Sequence, residues 1–168
     1  NLVQAGIKFS LTARHTIHLS SDEFADELTR FAAVCRTVQG LRGARLGAVG
    51  ARPGAFNTVR YSEKLLERHG ISVTTVDLSE FLAQSEELKS DAAEVGKKLD
   101  DIASYAPTSG VPQESLVQMA RLGVILERWM DENALDATAI QCWTSMQQNF
   151  GCNACTIAWQ TENNIPVV

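Results

Sequence analysis

Five short apolar runs alternate with stretches of helical periodicity, and that alternation constrains the fold more than any other feature. The runs are His15-Thr16-Ile17-His18-Leu19, Arg45-Leu46-Gly47-Ala48-Val49, Ile71-Ser72-Val73-Thr74-Thr75-Val76, Ala137-Thr138-Ala139-Ile140-Gln141 and Ile165-Pro166-Val167-Val168. Between them, apolar residues recur three and four apart: Phe24, Leu28, Phe31, Cys35 and Val38; then Leu88, Ala92, Val95, Leu99 and Ile102; then Leu116, Met119, Gly123, Leu126 and Met130. Such spacing lines up one face of a helix. Ser20-Ser21-Asp22-Glu23 caps the first helix, and Pro112 is tolerated at the start of the third. Strands alternating with helices pair in parallel and are covered on both faces. The expected fold is therefore α/β, a three-layer doubly wound, mostly parallel sheet of the flavodoxin or Rossmann kind, truncated at both ends. A coiled coil competes for the helical stripes, but Gly and Pro separate the elements.

Within that sheet, Gly47 and Ala48 predict close approach of a helix. Pro166 lacks an N–H and predicts a strand start or an edge. Ala106-Pro107-Thr108-Ser109-Gly110 reads as a joint between helices.

Composition removes several function classes. The chain has 168 residues, 45% of them hydrophobic, with only 4 Pro and 11 Gly, which argues against a disordered or fibrous chain and supports one domain, or one and a fraction. Its 15 basic and 20 acidic residues give a net charge of −5, with no Lys/Arg block to make a nucleic-acid footprint. Apolar runs stay far short of the roughly 20 residues a membrane span needs. Four cysteines, sparse and mostly clustered in the last third, fit a reducing cytoplasm. The opening NLVQAGIKFS has neither an initiating Met nor the order of a signal peptide. Both ends are expected to be cut.

Open parallel sheets bind ligands beyond the carboxyl ends of their strands, where the strand order switches. The segments to inspect follow Val49, Val76, Gln141 and Val168. After Val49 comes Gly50-Ala51-Arg52-Pro53-Gly54-Ala55-Phe56-Asn57-Thr58-Val59-Arg60-Tyr61. Glycines let backbone approach a ligand, Asn57 or Thr58 suits a helix cap, and a helix start offers N–H groups to an anion or hydroxyl. Neither a dinucleotide fingerprint nor a phosphate loop is present. The segment is either a structural turn with surface arginines or a ligand or subunit contact through Arg52, Asn57 or Arg60. After the fourth run, Thr144 and Gln147 have capping-box spacing, which puts Gln141 and Trp143 at the strand-to-helix corner. Gln141 supplies a donor and an acceptor and, if buried, needs partners. Trp143 offers an apolar wall suited to the C–H face of a sugar, or simply packs the corner.

Other groups carry less. Cys152-Asn153-Ala154-Cys155 has redox spacing, but an apolar helix face follows it. Zinc would need further ligands. His15 and His18 share one strand face without a carboxylate partner, and His69 suits a helix C-terminus. Asp91, Glu94, Asp100 and Asp101 lie on helix faces, and Asp136 sits at the wrong end of its strand. No complete catalytic set emerges.

Two stretches together resemble the middle domain of the L-fucose isomerase / L-arabinose isomerase superfamily: Leu41-Arg42-Gly43-Ala44-Arg45-Leu46-Gly47-Ala48-Val49-Gly50-Ala51-Arg52-Pro53-Gly54-Ala55-Phe56, and Asn133-Ala134-Leu135-Asp136-Ala137-Thr138-Ala139-Ile140-Gln141-Cys142-Trp143, continuing to Gly151 and Cys155. Cys152 departs from the family pattern. The resemblance implies that residues 1–40 end a preceding or first α/β subdomain and that 41–168 form the middle domain. It matches Gln141 to a family glutamine near the sugar and Trp143 to the aromatic two positions on. It also implies a cytoplasmic, homo-oligomeric parent that interconverts an aldose and a ketose through an enediol at C1/C2 with manganese or another divalent metal. The metal-binding segment of the family follows a strand corresponding to Ile165–Val168, so the ligands are expected beyond Val168 and the fragment is expected to be inactive. The alternatives are a non-catalytic sugar- or anion-binding domain and a domain that only packs in an oligomer.

Overall fold

The structure, a computed structural model, describes residues 1–142 and 144–151. The run Ile165–Val168, the pair Cys152 and Cys155, and Trp143 lie outside the described residues. The chain divides into two compact units after Arg42.

The first unit is dominated by helix α1, Asp22–Leu41. Ser21 Oγ accepts the Phe24 N–H at 3.2 Å, and Asp22 and Glu23 place negative charge in the first turn, where the helix dipole favours it. The predicted stripe lies on this helix but is not buried: Phe24 is half-buried, and Leu28, Phe31, Cys35 and Val38 are exposed. The expected strand at His15–Leu19 is not formed. The chain bends there, with Thr12 Oγ1 donating to the Arg14 carbonyl at 2.6 Å and His18 Nδ1 lying 2.8 Å from Ser20 Oγ. Local side-chain bonds of this kind compete with a sheet ladder.

The second unit holds a three-stranded, fully parallel, open sheet with helices. Its strands are β1 (Arg45–Val49), β2 (Ser72–Val76) and β3 (Ala137–Ile140), in the order β2-β1-β3. Arg45 pairs with Ser72 and Val49 with Val76 on one side; Leu46 pairs with Ala137 and Val49 with Ile140 on the other. After β1 come a 3₁₀ turn at Asn57–Val59 and helix α2, Glu63–Arg68, whose N-cap is Ser62. The α-helix therefore starts later than Asn57 or Thr58, and His69 is its C-cap, as its place in the sequence suggested.

Between β2 and β3 run α3 (Leu78–Glu87), α4 (Ala93–Tyr105) and α5 (Gln113–Glu132). Leu88 does not continue the stripe of Val95, Leu99 and Ile102. It is the C-cap of α3, because Asp77 starts that helix early enough for it to end there. The stripe on α5 is buried as expected, with Pro112 at the N-cap. Strand alternation turns Gly47 and Val49 to one face and leaves Leu46 and Ala48 half-buried on the other. The core contains Val49, Phe81, Val95, Ile102, Leu122 and Leu126. The Phe81 and Trp129 rings meet edge to face at 5.4 Å. The Lys98–Glu127 and Arg128–Glu94 ion pairs join α4 to α5. Met146, on the short helix α6 (Ser145–Asn149), and Phe150 beyond its end are also buried in the core. No helix of the described residues is long and apolar enough to cross a membrane.

Candidate functional site

Strand order decides where a site can form. The chain leaves β1 for β2 on one side and then returns across β1 to β3 on the other. The order therefore reverses between β1 and β3, and open sheets of this kind bind ligands beyond the carboxyl ends at such a switch. Three segments end at this edge: Gly50-Ala51 in the centre, Asp77 beside it, and Gln141 across the switch.

Each is set by the strand before it. Gly50 N donates to the Val76 carbonyl at 2.9 Å, and Gln141 N donates to the Val49 carbonyl at 2.8 Å, so both ladders run to the edge. Gly50 then turns with φ +79°, a left-handed conformation that glycine adopts without steric cost. A Cβ at this position would lie 2.5 Å from Gln141 Oε1 and 2.8 Å from Gln141 Cβ. Gln141 Oε1 accepts the Ala51 N–H at 2.8 Å. The half-buried amide thus receives the partner that its position demands.

Asp77 is the member of this edge for which no role was read from the sequence. Ser79 Oγ donates to Asp77 Oδ1 at 2.6 Å and Ser79 N donates to the same oxygen at 2.8 Å. These two bonds, the hydroxyl's first, hold the Asp77 carboxyl below the usual carboxylate range. The signal was the order strand, Asp, apolar residue, Ser, in which Asp caps the next helix.

The other predicted residues are placed differently. Arg52 directs its guanidinium back into its own loop, donating to the Pro53 and Phe56 carbonyls, each at 3.1 Å. Asn57 opens the 3₁₀ turn and Arg60 closes it, both exposed. Thr144 is the N-cap of α6, but its side chain makes no cap bond, because its backbone is helical rather than extended. His15 and His18 share no strand. At the opposite end of the sheet, Asp136 accepts the Arg45 N–H at 2.8 Å, a structural bond on the side away from the switch.

Among the described residues, the side chains set at the carboxyl edge are the Asp77 carboxylate, already bonded twice to Ser79, and the Gln141 carboxamide. A manganese site needs several hard oxygen or nitrogen ligands converging on one point, and this set does not fit it. Among the described residues, no group of three or more His, Cys, Asp or Glu side chains is placed to hold a metal ion. The arrangement is suited to hydrogen bonding a small polar molecule.

Residues 1–42 match the family described as fucose/sulfoquinovose isomerase, N-terminal domain. The matched stretch ends where the first unit ends. No curated protein matches the chain.

Proposed function

We propose that the chain is part of a sugar-isomerase-like protein and that its second unit is the middle α/β domain, built on a doubly wound sheet larger than the three strands described. The carboxyl edge between β1 and β3 faces the sugar. Gln141 lies at the switch, Trp143 supplies an apolar wall, and Arg52, Asn57 and Arg60 belong to the loop that borders it. The observation that carries this reading is the Gln141–Ala51 hydrogen bond, which joins two corners 90 positions apart in the sequence at the switch point. The family match over residues 1–42 supports it independently.

In this reading the residues present bind and orient; they do not turn the sugar over. Passing a proton between C1 and C2 of an aldose needs a placed acid/base pair, and a divalent metal in this superfamily would polarise the carbonyl. Among the described residues the carboxyl edge shows neither set, and in this reading those groups come from residues other than the ones named here. Cytoplasmic residence and assembly as a homo-oligomer belong to the same proposal, and sedimentation of the chain over a concentration range tests the assembly.

The deciding experiment is a titration of the chain with free aldoses and ketoses, without metal, followed by NMR at the amides of Gly50, Ala51 and Gln141. Saturable shifts confined to this edge support the site. Absence of shifts for every sugar, with the fold intact, overturns it. Saturable binding to a chain that also stays without turnover when joined to its neighbouring domains would favour a non-catalytic sugar-binding domain instead.

A further inference from the structure

The geometry points to Gln141 as a positioning residue, a latch that holds the turn after β1 against the end of β3. The inference rests on the sugar-site reading only for what the latch serves; the latch itself stands on the following geometry.

Ala51 is exposed, and its N–H has passed the end of the β1 ladder. Its partner is the side chain of Gln141, at 2.8 Å, rather than a neighbouring strand. Without that carbonyl the amide would turn to solvent, and nothing in the β1–β3 ladder would fix the chain beyond Gly50. With it, the two strand ends on either side of the switch move as one body. The fit is mutual. Gln141 reaches Ala51 only because position 50 has no side chain, since a Cβ there would lie against both Oε1 and Cβ of Gln141. Gly50 also holds the left-handed turn that aims the Ala51 N–H at the amide. Because a backbone N–H can only donate, Oε1 and not Nε2 must face Ala51. The carboxamide orientation is thereby fixed, and with it the start of the Arg52 loop.

Amide hydrogen exchange on the full chain, without ligand, tests the latch. In the wild type, Ala51 N–H exchanges slowly for an exposed loop amide. Gln141→Ala speeds it about five- to tenfold, the loss expected from one hydrogen bond, while Gly50 N–H, bonded to the Val76 carbonyl, is unchanged. Gln141→Glu keeps an acceptor at the same reach and restores the slow rate. A wild-type Ala51 N–H that exchanges like a free amide overturns the latch, as does a Gln141→Ala protein with unchanged exchange, or a folded Gln141→Glu protein that behaves like the alanine variant. Should Gln141→Ala not fold, the wild-type rate and Gln141→Glu still decide. Since no sugar enters the measurement, failure of the latch and failure of the sugar reading are separate results.

Discussion

A Cβ built on Gly47 would lie 2.6 Å from Cζ3 of Trp129, so the central strand and helix α5 touch through the missing side chain. Thr138 Oγ1 and Leu135 Cδ1 close the same space at 2.7 and 2.9 Å. Three neighbours, from α5, β3 and the turn between them, cannot all withdraw. Gly47→Ala is expected to destabilise the second unit by about 1–3 kcal/mol through overpacking. Gly96, exposed on α4 with open space around it, gives the opposite sign: Gly96→Ala stabilises by about 0.5–1 kcal/mol. Urea unfolding of both variants checks the pair.

Ala134 is the non-glycine residue with positive φ among those described, at 48°, just past the end of α5. Its N–H donates to the Asp131 carbonyl, and Leu135 N–H returns to the Met130 carbonyl at 2.9 Å. That left-handed exit sets the direction from α5 into β3, and glycine is the residue that adopts it freely. Ala134→Gly is expected to raise stability by about 1 kcal/mol, visible as a higher urea midpoint with unchanged slope.

Much of this was legible in the sequence, and the reasons for the rest are local. Strands β1, β2 and β3 announced themselves as short apolar runs between turn residues, and Gly47 announced a close helix. Periodicity alone could not separate α3 from α4, because Leu88 keeps the spacing of the α4 stripe while serving as the last cap of α3. His15–Leu19 has a strand's composition, yet Thr12, His18 and Ser20 satisfy backbone and side-chain groups locally, and among the described residues no strand pairs with it. Gln141 was recognisable as an amide in need of partners. Which partner it found was not, because Ala51 comes within reach only through the β1–β3 register. Arg52 was legible either as a surface arginine of a structural turn or as a ligand or subunit contact; the bonds of its guanidinium to two carbonyls of its own loop were not.

Asp77 gives a pH prediction whose sign follows from its partners. Two bonds from Ser79 favour the ionised carboxyl, so its folded-state pKa lies below that of an unperturbed aspartate. A group depressed in this way contributes stability above the pH at which the unfolded aspartate ionises, and loses it as pH falls through the folded-state value. Ser79→Ala removes the larger of the two causes and leaves the backbone bond. The Asp77 carboxyl midpoint, followed by NMR, is expected to move up in that variant, and acid unfolding is expected to begin at a slightly higher pH.

The Lys98–Glu127 pair between α4 and α5 is asymmetric, with 8% of the lysine side chain exposed against 29% of the glutamate's. The two partners are therefore not equivalent to remove. Glu127→Ala strips a counter-charge from an ammonium that is buried against the helix interface, and removing one partner of a buried ion pair typically costs about 3–5 kcal/mol. The opening on the glutamate side lets water reach in, so the expected loss sits at the low end, about 3 kcal/mol. Lys98→Met replaces the charge by an apolar chain of similar length and leaves a carboxylate that water already reaches. Its cost is expected to stay under about 1 kcal/mol. Urea midpoints of the two variants give the order directly. Glu127→Ala unfolding at lower urea than Lys98→Met is the expected result, and the reverse order would mean that the ammonium reaches water as freely as its partner.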